Sequence, residues 1–232
     1  MLRNIIRVLV PHRLKRRVAD FRKNLPFLRM VLRARLGLQS DFVGYETLID
    51  YINTNKLYQL TGQFLEIGAF MGGGSAKLAK YGQYHGKKLI VVDVFDPGFD
   101  DSKNVSGEQL NALYRRILGN GDQRKIFDRN TKDQSNIVVY SQDSQEVTFP
   151  AGTQLCFSFI DGNHYPHYVR SDFNLAWNAT VSGGVVGFHD YGDRGASELP
   201  QVTETVDALI RENQASIAKT HVTKGIMLLH KK

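Results

Sequence analysis

The chain has 232 residues, 42% of them hydrophobic and 23% charged, which are the proportions of an ordinary soluble protein with one main core. Its one cysteine, Cys156, excludes an internal disulfide and suits a reducing compartment. No apolar run approaches the roughly 18 residues that a membrane-spanning helix needs, and basic residues interrupt every candidate signal-peptide core near the N terminus. We therefore expect a cytoplasmic protein.

The net charge of +7 is concentrated in the first forty residues. They contain eleven Lys and Arg against one acid, Asp20, whereas the remaining 192 residues carry 19 basic and 22 acidic side chains. Seven apolar residues of this basic arm recur at helical spacing, namely Leu14, Val18, Phe21, Leu25, Leu28, Leu32 and Leu36. The pattern predicts an amphipathic helical extension over residues 1–40 and a separate domain over residues 41–232.

Three roles are open for the basic arm. Its apolar face could dock on the domain or on a second copy of the chain, which would make a homo-oligomer. Residues 1–36 could instead bind an anionic membrane surface peripherally, as basic amphipathic helices do. The arm could also bind RNA, but the acidic balance of the remaining residues argues against a nucleic-acid surface on the domain itself.

From residue 41 onward, the hydrophobic pattern alternates between helices and buried strands. Helices are predicted near residues 42–55, 74–82, 107–118, 168–178 and 202–212. Strands are predicted at residues 63–67, 89–95, 137–141, 156–161 and 185–191, with SGG (182–184) as the turn before the last, and residues 216–221 and 225–230 predict a closing antiparallel pair. Strands separated by helices predict a doubly wound α/β fold with a mostly parallel, seven-stranded sheet.

The most informative motif is FLEIGAFMGGGSAKLAK at residues 64–80. It begins as an apolar strand with Glu66 at its end, continues through a loop that contains Gly68, Gly72 and Gly74, and then becomes a helix. Glycine lets the backbone approach a ligand closely, and the first turn of a helix presents free N–H groups. The order of strand, glycine loop and helix predicts a site for a nucleotide-like cofactor.

Acidic residues mark the ends of all five core strands: Glu66, Asp93, Asp143, Asp161 and Asp190. In open α/β sheets this edge is where ligands bind. A single Asp at such a position is weak evidence, because Asp is also common in turns. Its repetition at every core strand predicts a functional site.

Together, five motifs resemble a class I S-adenosylmethionine-dependent methyltransferase over residues 42–230. They are LEIGAFMGGGS (65–75), VVDVFD (91–96), YSQDS (140–144), FIDGNHYPHYVRSDFNLAW (159–177) and VSGGVVGFHDY (181–191). More narrowly, the chain resembles macrocin and other sugar O-methyltransferases and cephalosporin-hydroxylase-like proteins. The resemblance implies methylation of a hydroxyl on a sugar, a glycolipid or another small metabolite, and it carries no information on residues 1–40. A separate hypothesis joins the two parts of the chain: the basic arm holds the enzyme near an anionic membrane where a lipid-linked glycan is the acceptor.

The resemblance also implies which residues bind S-adenosylmethionine. They are Glu66, Gly68, Gly72, Ser75, Asp93, Asp143, Ser144 and Asp161. The first of these belong to the loop that holds the methionine portion, where Gly74 departs from the Ser or Thr common in the family. Asp93 corresponds to the acid that accepts hydrogen bonds from the ribose hydroxyls, and Asp143 and Ser144 correspond to the loop that borders the adenine.

A second group implied by the resemblance contains Asp161, His164, His189 and Asp190. In metal-dependent relatives, acids at the positions of Asp161, His189 and Asp190 hold Mg²⁺, so one expected acid is a histidine here. Because Mg²⁺ prefers oxygen ligands and imidazole suits transition metals, Mg²⁺ and another divalent cation are both open. Alternatively, His164 or His189 serves as a general base. The catalytic candidates are Asp161, His164 and His189.

Three other interpretations compete with this one. An NAD-dependent short-chain dehydrogenase has a similar glycine loop but needs a Tyr-xxx-Lys pair far downstream, whereas Tyr84 and Lys88 directly follow the first helix. An RNA methyltransferase would use the basic arm. A non-catalytic cofactor-binding or interaction protein is the third alternative, and the complete set of strand-end acids argues against it.

Overall fold

The computed structural model describes residue 41 and residues 43–232; the predicted basic arm lies outside the described residues, and its boundary at residue 40 stays a prediction. The strands are β1 (Gln63–Ile67), β2 (Leu89–Val92), β3 (Ile137–Tyr140), β4 (Leu155–Ile160), β5 (Thr180–Phe188), β6 (Ile217–Thr223) and β7 (Ile226–Lys231). The α-helices are α1 (Tyr45–Thr54), α2 (Gly73–Tyr84), α3 (Leu110–Leu118), α4 (Gln123–Thr131), α5 (Pro166–Ala179) and α6 (Pro200–Glu212). None of these described helices has the length and apolar character to cross a membrane.

All seven strands belong to one sheet, in the order β3-β2-β1-β4-β5-β7-β6. Strands β1 to β5 run parallel to one another, whereas β7 is antiparallel to both β5 and β6. Lys224 and Gly225 connect β6 to β7 with φ angles of 47° and 75°, as a tight two-residue hairpin turn requires. The predicted doubly wound, mostly parallel seven-stranded sheet with a closing antiparallel pair is confirmed.

Helices cover both faces of the sheet, because the side chains of each strand alternate between two cores. Along β1, Leu65 and Ile67 pack into one core with residues of α5 and α6. Phe64 faces the other core, which contains residues of α1, α2 and α4. By the same alternation, Glu66 lies on the Phe64 face, where it is fully buried. The central strands can therefore contact a ligand only at their ends.

Two predicted details are wrong. The segment 97–136 contains two helices rather than one, and Asp122 starts the second, α4, by accepting a hydrogen bond from Lys125 N–H (3.0 Å). The tripeptide SGG is not a turn but lies inside β5, where Gly183 has a φ of 78°. Both segments have the polar, glycine-containing composition of loops, and tertiary pairing overrides that local preference.

Candidate active site

The register of the sheet brings four predicted site residues to one edge. Ile67 of β1 pairs with Val92 of β2 and with Ile160 of β4. Ile160 in turn pairs with Phe188 of β5. The residues that directly follow these partners are Gly68, Asp93, Asp161 and His189. They therefore meet at the carboxyl edge of the parallel strands, where open α/β sheets bind ligands.

A cavity of about 400 Å³ opens at this edge, a volume typical of small-ligand sites. The predicted site residues that line it are Gly68, Asp93, Ser144, Asp161, His189 and Asp190. The predicted residues outside its lining are Glu66, Gly72, Ser75, Asp143 and His164. Lining residues that the sequence did not single out include Tyr45, Asp100, Tyr114 and Gln123. The cavity thus joins residues predicted for the cofactor to residues predicted for the chemistry.

Gly68, the first residue after β1, lets the glycine loop lie directly against the end of β4. Its φ is +84°, and a Cβ built on it would lie 2.0 Å from the carbonyl oxygen of Asp161. A backbone oxygen has little room to yield, so a side chain is excluded at this position. The glycine loop and the segment that carries Asp161 are therefore in backbone-to-backbone contact.

Gly72 and Gly74 make room for aromatic side chains of the protein itself. Gly72 precedes α2 with a φ of +75°, and a Cβ there would lie 2.6 Å from the ring of Phe127. A Cβ on Gly74 would lie 2.3 Å from the ring of Tyr45. This second contact explains why glycine stands at position 74 in place of Ser or Thr.

Asp93 fastens the glycine loop to the end of β2. Its Oδ2 accepts hydrogen bonds from the backbone N–H groups of Ala69 (2.7 Å) and Phe70 (2.9 Å), and its Oδ1 accepts from Phe95 N–H (2.6 Å). The side-chain amide of Gln123 donates a longer bond to Oδ1 (3.3 Å). Burial raises the pKa of Asp93, and the three backbone amides oppose that rise. A ribose hydroxyl, its predicted partner, would share a carboxylate that already holds the loop.

Glu66 lies beneath the glycine loop rather than in the cavity lining. The Tyr45 hydroxyl donates a hydrogen bond to Glu66 Oε1. Burial raises the pKa of Glu66 to about 7, although the hydroxyl groups of Ser75 and Tyr45 act in the opposite direction. Glu66 and Ser75 therefore support the loop from below, and direct contact of either with the methionine portion of a cofactor stays a prediction.

The loop after β3 separates its two predicted residues. Asp143 accepts hydrogen bonds from Gln145 N–H (2.9 Å) and from the Tyr168 hydroxyl (2.8 Å), and it caps a short 3₁₀ helix. Ser144 lines the cavity together with Gln142. Ser144 and Gln142 are thus the residues of this loop that line the cavity, and contact of Ser144 or Asp143 with an adenine stays a prediction.

Two histidines and three aspartates form a hydrogen-bonded cluster beyond β4 and β5. His189 Nδ1 lies 2.9 Å from Asp161 Oδ1 and 3.3 Å from Asp190 Oδ2. His164 Nε2 lies 3.0 Å from Asp190 Oδ2. His164 Nδ1 lies 2.5 Å from Asp100 Oδ2. Asp100 belongs to a polar segment without a sequence motif, so sequence analysis did not identify it as a site residue. Both ring nitrogens of His164 are therefore engaged.

The carboxylates of this cluster hold protons on both imidazole rings. Burial lowers the pKa of His164, but hydrogen bonds to Asp100 and Asp190 outweigh burial and raise the pKa to about 10. Burial likewise lowers the pKa of His189, and Asp161 and Asp190 raise it to about 9. The two histidines hold the pKa of Asp190 well below its usual range, although burial acts in the opposite direction. At neutral pH neither ring is a free base within this cluster.

Three groups of the cluster could hold one cation. They are Asp161, His164 and Asp190, whose donor atoms lie within 4.8 Å of one another. Asp100 orients His164 from behind, as carboxylates orient metal-binding histidines. The sequence predicts His189 as the nitrogen ligand, and His189 contacts both carboxylates as well. Two carboxylates with an imidazole fit a divalent transition ion better than Mg²⁺, which prefers oxygen ligands throughout.

Two segments outside the sheet complete the lining, and we call them the roof segments. The first, residues 97–109, contributes Asn104 and Glu108, and the second, residues 191–199, contributes Ser197 and Leu199. A hydrogen bond from Val105 N–H to the carbonyl oxygen of Glu198 (3.0 Å) joins the two segments. Their mixture of polar and apolar groups suits a small organic ligand.

Comparison with known proteins identifies the family. The family described as "Methyltransferase domain" matches residues 65–191, a range that begins at β1 and ends just after Asp190. An uncharacterised protein of Acanthamoeba polyphaga mimivirus is 27% identical to this chain over 173 residues, which are 74% of this chain and 68% of that protein.

Solved methyltransferase structures share the fold at low sequence identity. The O-methyltransferase NovP has a TM-score of 0.60 at 15% identity, over 81% of this chain and 78% of NovP. The calicheamicin methyltransferase CalS11 has a TM-score of 0.54 at 13% identity, over 79% of this chain and 77% of CalS11. These similarities show the fold, and the family match covers the glycine loop and the histidine–aspartate cluster. The chain therefore belongs to the methyltransferase-domain family and is a class I S-adenosylmethionine-dependent methyltransferase.

Proposed function

We propose that the protein transfers the methyl group of S-adenosylmethionine to a hydroxyl group of a sugar, a glycolipid or another small metabolite. The observation that carries this proposal is the contact between Gly68 and the backbone of Asp161. Through it, the loop that holds the methyl donor and a carboxylate that can accept a proton lie in one cavity. Methyl transfer requires the attacking oxygen to be aligned with the donor, and such proximity supplies much of the rate.

A hydroxyl group must lose its proton as it attacks, so the site needs a base. Without a bound cation, His164 and His189 are protonated in the cluster at neutral pH, which leaves Asp161 as the proton acceptor. His189 lies 2.9 Å from Asp161 Oδ1 and fixes the orientation of that carboxylate. His164, which lies outside the cavity lining, is a positioning residue that acts through Asp190.

We also propose that a divalent cation binds to Asp161, Asp190 and one of the two histidines, which would lose its ring proton to become a ligand. The second carboxylate oxygen of Asp161 would remain available as the proton acceptor. When bound, such a cation supplies Lewis acidity, which lowers the pKa of a coordinated hydroxyl. The mixed oxygen and nitrogen donors favour a transition ion such as Mn²⁺ over Mg²⁺. The closeness of the donor atoms of Asp161, His164 and Asp190 supports this assignment.

One structural relative supports a hydroxyl acceptor, and a second supports a hydroxyl acceptor on a sugar. NovP is an O-methyltransferase, and CalS11 is described as a TDP-rhamnose 3′-O-methyltransferase. The roof segments contribute the polar side chains of Asn104, Glu108 and Ser197 to the cavity, which suits an acceptor with several hydroxyl groups. The excess of acidic over basic side chains in residues 41–232 argues against the alternative of an RNA acceptor.

Calorimetric titration tests the cofactor. We expect the wild-type protein to bind S-adenosylmethionine but neither NAD nor NADP. Asp93→Ala removes the acceptor of three backbone hydrogen bonds, two of them from the glycine loop, and should weaken binding about tenfold or more. Asp133→Ala, a matched change at an exposed position outside the cavity, should leave the affinity unchanged. Absence of S-adenosylmethionine binding by well-folded protein would overturn the proposal.

The pH dependence of methyl transfer distinguishes the two candidate bases. If Asp161 accepts the proton, the initial rate with a panel of sugars and nucleotide sugars should not rise between pH 7 and pH 9. If His189 were the base, it would first have to lose its own proton, and the rate would rise towards its pKa of about 9. Asp161→Asn should abolish activity, and calorimetry should show that it lowers the affinity for the cofactor far less than it lowers the rate.

A chelator experiment tests the cation. We expect methyl transfer to stop after treatment with a chelator and to recover with Mn²⁺ more than with Mg²⁺. Asp190→Asn should raise the Mn²⁺ concentration needed for recovery, because it removes a charged ligand. If the chelated protein keeps its full rate, the cation proposal is wrong and the cluster serves proton transfer alone.

A further inference from the structure

Tyr114 of α3 lies in the cavity without a role in the reaction described above. Its ring packs against Phe70 of the glycine loop, with the two ring centroids 5.3 Å apart. It lines the same cavity as Asp161 and Asp190. No residue in the described part of the chain makes a hydrogen bond with its hydroxyl group.

The acidic side chains that line the cavity act on the hydroxyl group of Tyr114. Burial raises its pKa well above the usual value, and the carboxylates of Asp161, Asp100, Asp190 and Asp93 raise it further. The phenol therefore stays neutral, and its oxygen keeps lone pairs that no described residue uses. Tyr114 packs against the glycine loop and lines the same cavity as Asp161, the proposed base.

The space between a bound cofactor and a base is where the transferring methyl group must lie. Next to a positive sulfur, methyl hydrogens are polarised and form C–H···O contacts with oxygen lone pairs. An aromatic ring also attracts a nearby cation. We propose that Tyr114 is a further cofactor-binding residue, which contacts the sulfonium methyl group through its hydroxyl oxygen and ring and directs that group towards Asp161. This inference rests on the proposed function.

This contact would make Tyr114 discriminate between the cofactor and its product. S-adenosylhomocysteine lacks both the methyl group and the positive charge, so it offers Tyr114 neither interaction. Tyr114→Phe removes one oxygen without changing the charge of the cavity. A general electrostatic preference for S-adenosylmethionine would therefore survive this substitution, whereas a local contact with the methyl group would be lost.

Calorimetry with both ligands tests the inference. In Tyr114→Phe, we expect the affinity for S-adenosylmethionine to fall about threefold and the affinity for S-adenosylhomocysteine to stay the same. Tyr114→Leu, which also removes the ring, should lower the S-adenosylmethionine affinity about tenfold or more. Tyr84→Phe is the matched control, because Tyr84 is exposed at the end of α2 and lies outside the cavity lining.

The possible failures can be told apart. If the wild-type protein and Tyr114→Phe show the same ratio of the two affinities, or if the variant loses both ligands equally, the role of Tyr114 is refuted while the methyltransferase assignment stands. If the wild-type protein binds neither ligand, the proposed function fails and the inference fails with it. A melting curve for each variant confirms that a measured loss belongs to binding rather than to folding.

Discussion

Gly74 is a residue whose identity depends on a single neighbouring ring. An alanine there would gain about 1 kcal/mol of helix propensity, but its Cβ would lie 2.3 Å from the ring of Tyr45. That ring cannot readily turn away, because its hydroxyl group is bound to buried Glu66. We expect Gly74→Ala to lower the free energy of unfolding by about 1–3 kcal/mol, as measured by urea denaturation.

A second background separates this contact from other effects of the substitution. With Tyr45→Leu already present, Gly74→Ala should be neutral or stabilising, since the obstructing ring is absent. The difference between the two backgrounds is the coupling energy of positions 45 and 74. An equal loss in both backgrounds would show that the ring of Tyr45 is not the cause.

Sequence reasoning locates single residues best where a strand end fixes them. Asp93, Asp161 and His189 directly follow aligned strands, and all three line the cavity. Glu66 is predicted at a strand end but lies within β1. Its side chain points to the same face of the sheet as Phe64 and not into the cavity, because one position along a strand reverses the direction of the side chain. Tyr114 carries no signal in the sequence, since its place depends on how α3 packs across the sheet.

At the scale of helices and strands, hydrophobic periodicity predicts most of the fold. The strands β1 to β4 are short and mostly apolar. In the structure, each of them begins within two residues of its predicted first residue. Helix α4 is missed because its apolar residues, Ile126 and Phe127, are adjacent and not spread along one face. Its packing comes from contacts distant in sequence, such as that between Phe127 and Gly72.

The contact between α1 and β7 predicts a pH-dependent stability. His230 of β7 is buried, and its Nε2 lies 2.5 Å from the Tyr51 hydroxyl. Burial and the positive charges of Lys219 and His221 lower the pKa of His230 to about 4, whereas an unfolded histidine titrates near 6.5. Between pH 4 and pH 6.5 the unfolded chain binds more protons than the folded chain. The contribution of His230 to the free energy of unfolding is therefore fully present above pH 6.5 and is lost as the pH falls towards 4.

Urea denaturation at several pH values measures this effect. For one proton, the free energy of unfolding should fall by at most about 1.4 kcal/mol per pH unit across that window. His230→Gln should be less sensitive to acid than the wild type, and the difference between the two proteins cancels the contributions of all other titrating groups. Parallel curves for wild type and variant would contradict the assignment to His230.

At the scale of the whole molecule, charge divides the chain in two. Residues 1–40 carry eleven basic side chains and one acid, whereas the described domain has more acids than bases. We propose that the basic arm binds an anionic membrane surface and holds the enzyme near a lipid-linked acceptor. The full chain should then sediment with vesicles that contain an anionic lipid but not with neutral vesicles, and 0.5 M salt should release it.

Deletion of residues 1–36 provides the test. We expect the shortened protein to lose vesicle binding while it keeps its calorimetric affinity for S-adenosylmethionine, because every residue predicted to bind the cofactor lies in residues 41–232. Unchanged vesicle binding would refute the membrane role. Aggregation or a change in oligomeric state after the deletion would instead assign the arm to docking on the domain or on a second copy.

The backbone contact at Gly68 has a consequence for how relatives of this enzyme can diverge. The floor of the cavity is formed by the ends of the paired strands β1 and β4, where the backbones of Gly68 and Asp161 touch. Almost any insertion at these strand ends would therefore disrupt the sheet. The two roof segments are joined by the Val105–Glu198 hydrogen bond and belong to no strand of the sheet, so a change in their length outside Asp100, which holds His164, would leave the strand pairing intact. Relatives that inherit the same floor should therefore acquire new acceptors through the roof alone, and duplicated genes should differ most over residues 97–109 and 191–199.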